Sequence, residues 1–485
     1  MSVRLAHSKA VHARGQKLRS TDVRVDNVAI YLLPIEFRVP LQFASETVSS
    51  ITCCRVKVTV ADSSGRRAEG WGEVPLSIQW AWPSTAPFTV RFERLKFLCC
   101  DIAKMLREFD VWGHALEIGH DFRQLVLPQL LKLYHSTDGN LVVPYLAALM
   151  CFSPFDIALH DAYGKLNQRD VYETYNAEYL NRDLSAFLAV TDGSGMSFAG
   201  LYPQDFLEKQ PSTTLAAWHL VGGADPLTAD DLTGDEPDDG LPVLLSDWIA
   251  RDGLYCLKTK LRGNDAAWDY ERLVRVGTIA SARDVKWLSA DFNCMVTDPV
   301  YVIDILDRLS AEHPQISAML LYVEQPFPSD LCTSRIDVRS VAAKKPVFLD
   351  ESAHDWQNIA IGHDLGWSGV ALKTCKTQTG SLLSLCWARF HGMSLMVQDL
   401  TNPMLAQLPH VRLAAHAGTI MGVETNSMQF YPHASEPESL VHPGLYRRRD
   451  GNLDLTTIAG SGFGYRADEI KRDLSENFMD IDAVS

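Results

Sequence analysis

No two cysteines in this 485-residue chain are spaced C-x-x-C, and the ten present follow no framework spacing, although Cys53–Cys54 and Cys99–Cys100 are adjacent. A disulfide scaffold is therefore excluded; reduced, buried thiols are expected, and with them a cytoplasmic location. No apolar run approaches the length needed to cross a bilayer, and "ISAMLLYV" reads as a buried strand, so no membrane partner is expected. Positive charge is also in deficit. Lys and Arg number 45 against 60 Asp and Glu, a net −15 spread along the chain, which argues against a nucleic-acid surface. The first twenty residues lack any acidic residue and equally lack the apolar stretch of a secretory signal, so residues 1–24 read as a disordered basic tail, with an organellar transit peptide as the alternative. A small-molecule ligand is what this composition leaves.

The chain is longer than one ordinary core organises, and its pattern changes along its length. Strand-rich segments such as "VAIYLLPIEF" and "ITCCRVKVTVADSSGRRAEGWGEV" come first, with a turn signal at residues 62–65, and helical patterns follow in "ERLKFLCCDIAKMLREF" and "SPFDIALHDAYGKL". This predicts an α+β domain over residues 25–165. From 166 to 435 strands and helices alternate. The strands are "TTLAAWHLV", "LYCLKTKL", "VKWLSADFN", "AMLLYVEQPF", "PVFLDES", "SGVALKTCK", "SLMVQDL" and "TIMGVETN", which predict a (β/α)8 barrel. Residues 436–485 lack that rhythm and are expected to return to the first domain. Residues 222–240 hold seven acidic residues and no basic one, and read as a solvated loop on the mouth side of the barrel. "GSGFGY" at 460 follows no strand and opens no helix, so it is not a dinucleotide fingerprint.

Each barrel strand after the first ends in a charged residue that a buried segment would avoid. Lys260, Asp291, Glu324, Asp350, Lys373, Asp399 and Glu424 are separated by 31, 33, 26, 23, 26 and 25 residues, one βα unit per step. They fall at the C-terminal strand ends, where barrel enzymes carry their catalytic groups. Side chains alternate faces along a strand, so Lys258 shares a face with Lys260, Asp291 with Asn293, and Asp350 turns Glu351 the other way. The same counting puts Lys376 off the site. Asp291, Glu324 and Asp350 lie on neighbouring strands, and three converging carboxylates repel unless a cation sits between them. With oxygen donors alone, a hard ion such as Mg²⁺ is indicated. Lys260 and Lys373 stand four strands apart and would approach a substrate from opposite sides. The ion and the neighbouring Lys258 are expected to lower the pKa of Lys260 toward that of a general base. Two opposed bases and a cation suit removal of the proton beside a carboxylate.

At these residues the chain resembles the enolase superfamily, in its mandelate racemase and muconate lactonizing enzyme branch. "LKTK" resembles the K-x-K motif, "ADFN", "VEQPF" and "LDES" the three metal-ligand segments, and "ALKTCKTQTG" the lysine segment of strand 6; "GWGEV" and "SPFDIALHDAYGKL" resemble the capping domain and the helices leading into the barrel. The resemblance implies a barrel capped by an α+β domain that the C-terminal segment completes. It implies Lys260 and Lys373 as paired general base and acid, Lys258 as modulator, and Asp291, Glu324 and Asp350 as Mg²⁺ ligands supported by Asn293. Two cap loops, residues 40–47 and 75–84, would cover the mouth, with Trp80 and Trp82 as pocket walls. This chain departs from the pattern at strand 7, which ends in Asp399 where mandelate racemases carry a catalytic His; His391 precedes that strand, at its far end. On strand 8, "GVETNS" replaces the D-x-D of dipeptide epimerases, leaving an amino-group contact to Glu424.

The expected activity is Mg²⁺-dependent abstraction of the α-proton of a carboxylate to a metal-stabilised enediolate, leading to racemisation, epimerisation or cycloisomerisation. β-Elimination, a Schiff-base aldolase and a non-catalytic metal-binding barrel are the alternatives. A homo-oligomer is expected.

Overall fold

Alternating apolar positions from residue 23 onward build a long antiparallel hairpin. The computed structural model describes residues 19–43, 46–137, 141–190 and 195–479. In it β1 (Val23–Phe43) pairs with β2 (Glu46–Asp62), and β2 with β3 (Arg67–Pro75). The β2–β3 turn forms because the Asp62 carboxylate accepts from the Ser64 and Arg66 amides, at 2.9 Å each. The register of β1 against β2 breaks between Glu36 and Leu41, which leaves Arg38 in an interrupted part of the ladder. The strand begins at Val23, and the Arg19 guanidinium donates to the Ala177 and Glu178 carbonyls, so residues 19–24 are part of the folded body where a basic tail was expected. Residues 1–18 lie outside the described residues.

Five helices follow: α1 (Ile78–Ala81), α2 (Phe88–Arg107), α3 (Ala115–Leu125), α4 (Leu127–Thr137) and α5 (Tyr145–Leu166). α5 is buried almost throughout and lies on β3. Gly70 and Gly72 allow that approach. A β-carbon on Gly70 would stand 2.1 Å from the Ala162 nitrogen, and one on Gly72 2.1 Å from the Pro154 carbonyl oxygen.

The alternation beyond residue 213 yields eight parallel strands: β4 (Thr214–Val221), β5 (Cys256–Lys260), β6 (Trp287–Asp291), β7 (Leu320–Glu324), β8 (Val347–Leu349), β9 (Gly369–Leu372), β10 (Ser394–Val397) and β11 (Val423–Glu424). Their spatial order is β10-β9-β8-β7-β6-β5-β4-β11. This curled sheet brings its two ends together where the Ile420 amide donates to the Leu395 carbonyl at 2.9 Å. Trp218, Cys256, Tyr322, Phe348 and Met396 fill the inside as one apolar layer, with the Tyr322 and Phe348 rings stacked at 4.5 Å. The polar strand ends rest on that floor.

The chain beyond residue 436 serves both parts. β12 (Asn452–Asp454) pairs with β4, and β13 (Phe478–Met479) pairs with β1. A buried ionic chain ties the same segment to the first sheet: Arg55 pairs with Glu73 and, at 3.0 Å, with Glu438, which pairs in turn with Arg472 at 2.6 Å. Among the described residues no helix is long and apolar enough to cross a membrane.

Candidate active site

Parallel register sets the heights of the charged residues. Lys260 lies beside Asp291, and Asp291 beside Glu324, in successive strand pairs. Two positions earlier stand Lys258, Ser289 and Tyr322, all buried, so these side chains share the interior face and point into the barrel above the aromatic floor. Asp291, Glu324, Asp350, Lys258 and Lys373 are all buried.

Lys258 sits at the centre. Its Nζ lies 2.6 Å from Glu324 Oε1, 3.2 Å from Asp291 Oδ2 and 3.3 Å from Glu424 Oε2. Lys260 Nζ donates to the same Asp291 Oδ2 at 2.5 Å and to Asn293 Oδ1 at 2.7 Å. Across the ring, Lys373 Nζ is 2.9 Å from Asp350 Oδ2 and donates to the Asp399 carbonyl at 3.2 Å. The Asp399 carboxylate accepts from the Asn426 backbone and side chain, and Asn426 Nδ2 also donates to Glu424 Oε1 at 2.8 Å. Nine of the eleven residues singled out in the sequence are thereby brought into one cluster. Trp80 joins it from the cap: its Nε1 donates to Glu351 Oε1 at 3.0 Å, and its ring lies 4.9 Å from Lys373 Nζ. Trp82 does not. It is buried in the cap, its carbonyl accepting from Arg91 Nη1 at 2.7 Å. Ala44 and Ser45 of the first cap loop, and the side chains of residues 41–47, fall outside the described residues.

Three residues belong to the site that the sequence reading left out. Lys376 was placed off it, yet Lys376 Nζ donates to the Asp350 carbonyl at 2.5 Å and lies 3.2 Å from Asp350 Oδ1. Glu351 was turned away, yet it meets Trp80 and lies 3.5 Å from Cys294 Sγ. In both cases strand alternation does not extend past the end of the strand. β8 stops at Leu349 and β9 at Leu372, and residues 374–376 form a tight 3₁₀ turn that swings Lys376 inward. Gln398 is the third, donating to Glu324 Oε2 at 2.5 Å and to the Tyr322 hydroxyl at 3.1 Å. It follows Met396 by two residues, so alternation places it on the interior face, and its signal in the sequence is position alone because an amide carries no charge.

The electrostatics of the cluster are dominated by burial and by pairing. Burial does disfavour the Lys258 ammonium, but Glu324, Glu424 and Asp291 outweigh it and hold its pKa well above the usual lysine range. It is a fixed positive charge. Burial likewise opposes the Lys373 charge, which Asp350 restores and raises. Burial would push Asp291 up, but Lys260 and Lys258 draw it down to about 2. Glu324 is pushed well above the carboxylate range by burial and by Asp291, and burial raises Glu351, Asp399 and Glu424 as well. Six carboxyl groups thus face four lysines, an excess of two negative charges if all ionise.

Among the described residues no three Asp, Glu, His or Cys side chains are gathered closely enough to hold a metal as they stand. Ammonium groups lie between the carboxylates. The donors nevertheless fit a hard divalent cation, being oxygen only, buried and in excess by the charge that such an ion carries.

No protein-family sequence model matches the chain, and no curated protein matches it in sequence. Solved structures do. A mandelate racemase/muconate lactonizing protein from Herpetosiphon aurantiacus is 17% identical with a TM-score of 0.58, covering 91% of this chain and 98% of its own. A dipeptide epimerase from Enterococcus faecalis V583, complexed with Mg and the dipeptide L-Leu-L-Tyr, is 14% identical at 0.59, covering 91% and 99%. The muconate lactonizing enzyme from Pseudomonas fluorescens, complexed with muconolactone, is 16% identical at 0.57, covering 91% and 96%. The chain shares the fold of these mandelate racemase/muconate lactonizing, dipeptide epimerase and muconate lactonizing structures. The curled parallel sheet under a β-rich cap is a capped barrel of this kind.

Proposed function

We propose that this protein is a Mg²⁺-dependent enzyme that removes the α-proton of a small carboxylate substrate. One observation carries the reading: two lysines, Lys260 and Lys373, come from strands four apart in the ring and flank a buried cluster of Asp291, Glu324 and Asp350. A binding module has no use for opposed amines at the C-terminal ends of barrel strands. Structures of this fold include racemases, epimerases and lactonizing enzymes, which agrees with isomerase chemistry.

Asp291, Glu324 and Asp350 would hold the ion. When bound, it supplies positive charge that offsets the charge gathering on the substrate carboxylate as the α-proton leaves. Lys260, as the neutral amine, takes the proton from one face; the C–H electrons move into the carboxylate and leave an enediolate. Lys373, as the ammonium, returns a proton from the other face, and the stereocentre inverts. Asn293 and Asp399 orient the two amines through the hydrogen bonds already described. Lys258 holds its charge throughout and keeps the carboxylates from repelling one another. Trp80 and the cap select the substrate.

The test is a panel of carboxylates incubated with enzyme and Mg²⁺ in D₂O. α-Deuterium is expected in at least one of them, and each of Lys260→Ala and Lys373→Ala should abolish turnover while retaining exchange on one enantiomer. Absence of exchange across amino-acid derivatives, dipeptides and hydroxy acids, or full activity in Lys260→Ala, removes this reading.

A further inference from the structure

Asp350 is held differently from the other two carboxylates proposed as ion ligands. Asp291 and Glu324 are the last residues of β6 and β7, and register with the neighbouring strands fixes their backbone. β8 stops at Leu349, so the ladder does not reach Asp350. One side chain from each flanking strand end holds it instead. Gln325, which follows β7, accepts at Oε1 from the Asp350 amide and from the Ser352 hydroxyl, at 2.7 Å each, while its own Nε2 donates to the Phe327 carbonyl at 2.9 Å. Its φ of +31° is a conformation that persists only where the surroundings over-determine it. Lys376, which follows β9, takes the other side. Its Nζ donates to the Asp350 carbonyl at 2.5 Å and lies 3.2 Å from Oδ1, and Oδ2 is met by Lys373 at 2.9 Å.

Lys376 is itself fixed from the cap. It is 3% exposed, and the 3₁₀ turn Thr374–Lys376 that carries it is tied to α5, where the Ser153 hydroxyl donates to the Thr374 carbonyl at 2.5 Å. The Trp80 ring lies 5.8 Å from its Nζ. On charge alone this lysine is badly placed, because an ammonium beside a carboxylate competes with any cation that the carboxylate is to hold. What it contributes is geometry: two contacts, to the carbonyl and to Oδ1 of one residue, set the orientation of that carboxylate.

We propose that Lys376 is a positioning residue for the metal site, and that by fixing Asp350 it makes the site prefer Mg²⁺ over Ca²⁺. The inference rests on Asp350 being an ion ligand, as proposed above. Mg²⁺ demands near-octahedral donors at short distance, whereas the larger Ca²⁺ accepts more oxygens in adaptable arrangements. A loosened Asp350 therefore harms Mg²⁺ binding more than Ca²⁺ binding.

The test is calorimetric titration of Mg²⁺, and separately of Ca²⁺, into the full chain freed of metal by EDTA and dialysis. Lys376→Met should weaken Mg²⁺ at least about tenfold, the order of one lost charge-assisted hydrogen bond. Ca²⁺ should weaken less, so that the preference for Mg²⁺ falls at least about threefold. The sign separates the causes. Removing a positive charge that acts only through its field would tighten both ions, and a damaged fold would lose both alike. Lys376→Gln, polar and shorter, takes the place of the Met variant if that does not fold, with the same changes expected. Unchanged or tighter Mg²⁺ binding in the folded variant, or equal losses for the two ions, would overturn the proposal. A parent that binds Mg²⁺ no more tightly than its Asp350→Asn variant would instead remove the reading of Asp350 as a ligand, and this inference with it.

Discussion

Lys258 is the residue on which the charge of the candidate site turns. Three carboxylates meet its ammonium within 3.3 Å. Replacing it by Met removes the cation and leaves Glu324, Glu424 and Asp291 facing one another in a buried space. Breaking a buried pair from one side costs roughly 3–5 kcal/mol, because the remaining charge is uncompensated. Lys258→Met should therefore lower the melting temperature markedly in buffer with EDTA. If Asp291, Glu324 and Asp350 hold a divalent ion, added Mg²⁺ should restore more stability to the variant than it gives the parent. Equal Mg²⁺ effects on the two proteins in thermal unfolding would show that the carboxylates do not share the ion.

At the scale of the element, the strands were legible because two periodicities coincide. Apolar alternation marked the interior face, and a charge closed each strand about one βα unit after the last, as from Asp291 to Glu324. Alternation is a property of extended backbone, however, and it ended where the strands ended. Thr377, at φ 74°, and the 3₁₀ turn before it redirect Lys376, and the end of β8 at Leu349 frees Glu351 to reach Trp80. Long-range meetings such as Arg38 with Asp239, 201 residues apart, had no local signal at all. The glycines of "GWGEV" did carry one, since β3 needs bare backbone where α5 crosses it. Gly70→Ala places a methyl group against main-chain atoms of Ala158 and Ala162, which cannot yield as a side chain would. A loss of about 1–3 kcal/mol is expected from such overpacking. Gly65→Ala is the control, with nothing within 4 Å of its added carbon but φ at +87°, so its cost comes from backbone conformation alone. Urea unfolding of the two variants separates the effects. A Gly70→Ala as stable as the parent would mean that α5 sits less tightly on the sheet.

For the whole molecule, the joint between cap and barrel carries a matched pair of buried titrating groups. Asp156, on α5, accepts at 2.8 Å from the Thr379 amide in the first turn of the barrel helix Gln378–Phe390, where a negative charge meets the positive end of the helix dipole. One turn later, His160 Nε2 meets Thr379 Oγ1 at 2.9 Å, and His160 Nδ1 meets the Tyr175 hydroxyl at 2.9 Å. Burial raises Asp156 to about 6, and burial lowers His160 to about 3. The signs oppose. Asp156 contributes stability that is complete below its unfolded pKa of about 3.9 and is lost as pH rises through about 6. His160 contributes stability that is complete above its unfolded pKa of about 6.5 and is lost as pH falls toward about 3. Between about pH 4 and pH 6 the folded state gains a proton at Asp156 while the unfolded state gains one at His160, so their effects on stability cancel. Each variant should expose its partner. His160→Gln leaves Asp156 alone, and its stability relative to the parent should rise on acidification from pH 6 to pH 4 with a slope of about 1.4 kcal/mol per pH unit. Asp156→Asn leaves His160 alone, and its relative stability should fall over the same interval with a similar slope. The measurement is urea unfolding of parent and both variants at half-unit steps of pH, analysed as differences so that titrations common to all three drop out. Flat differences in both variants would show that these groups titrate alike in folded and unfolded chains, and slopes of the same sign would show that burial does not shift the two in opposite directions.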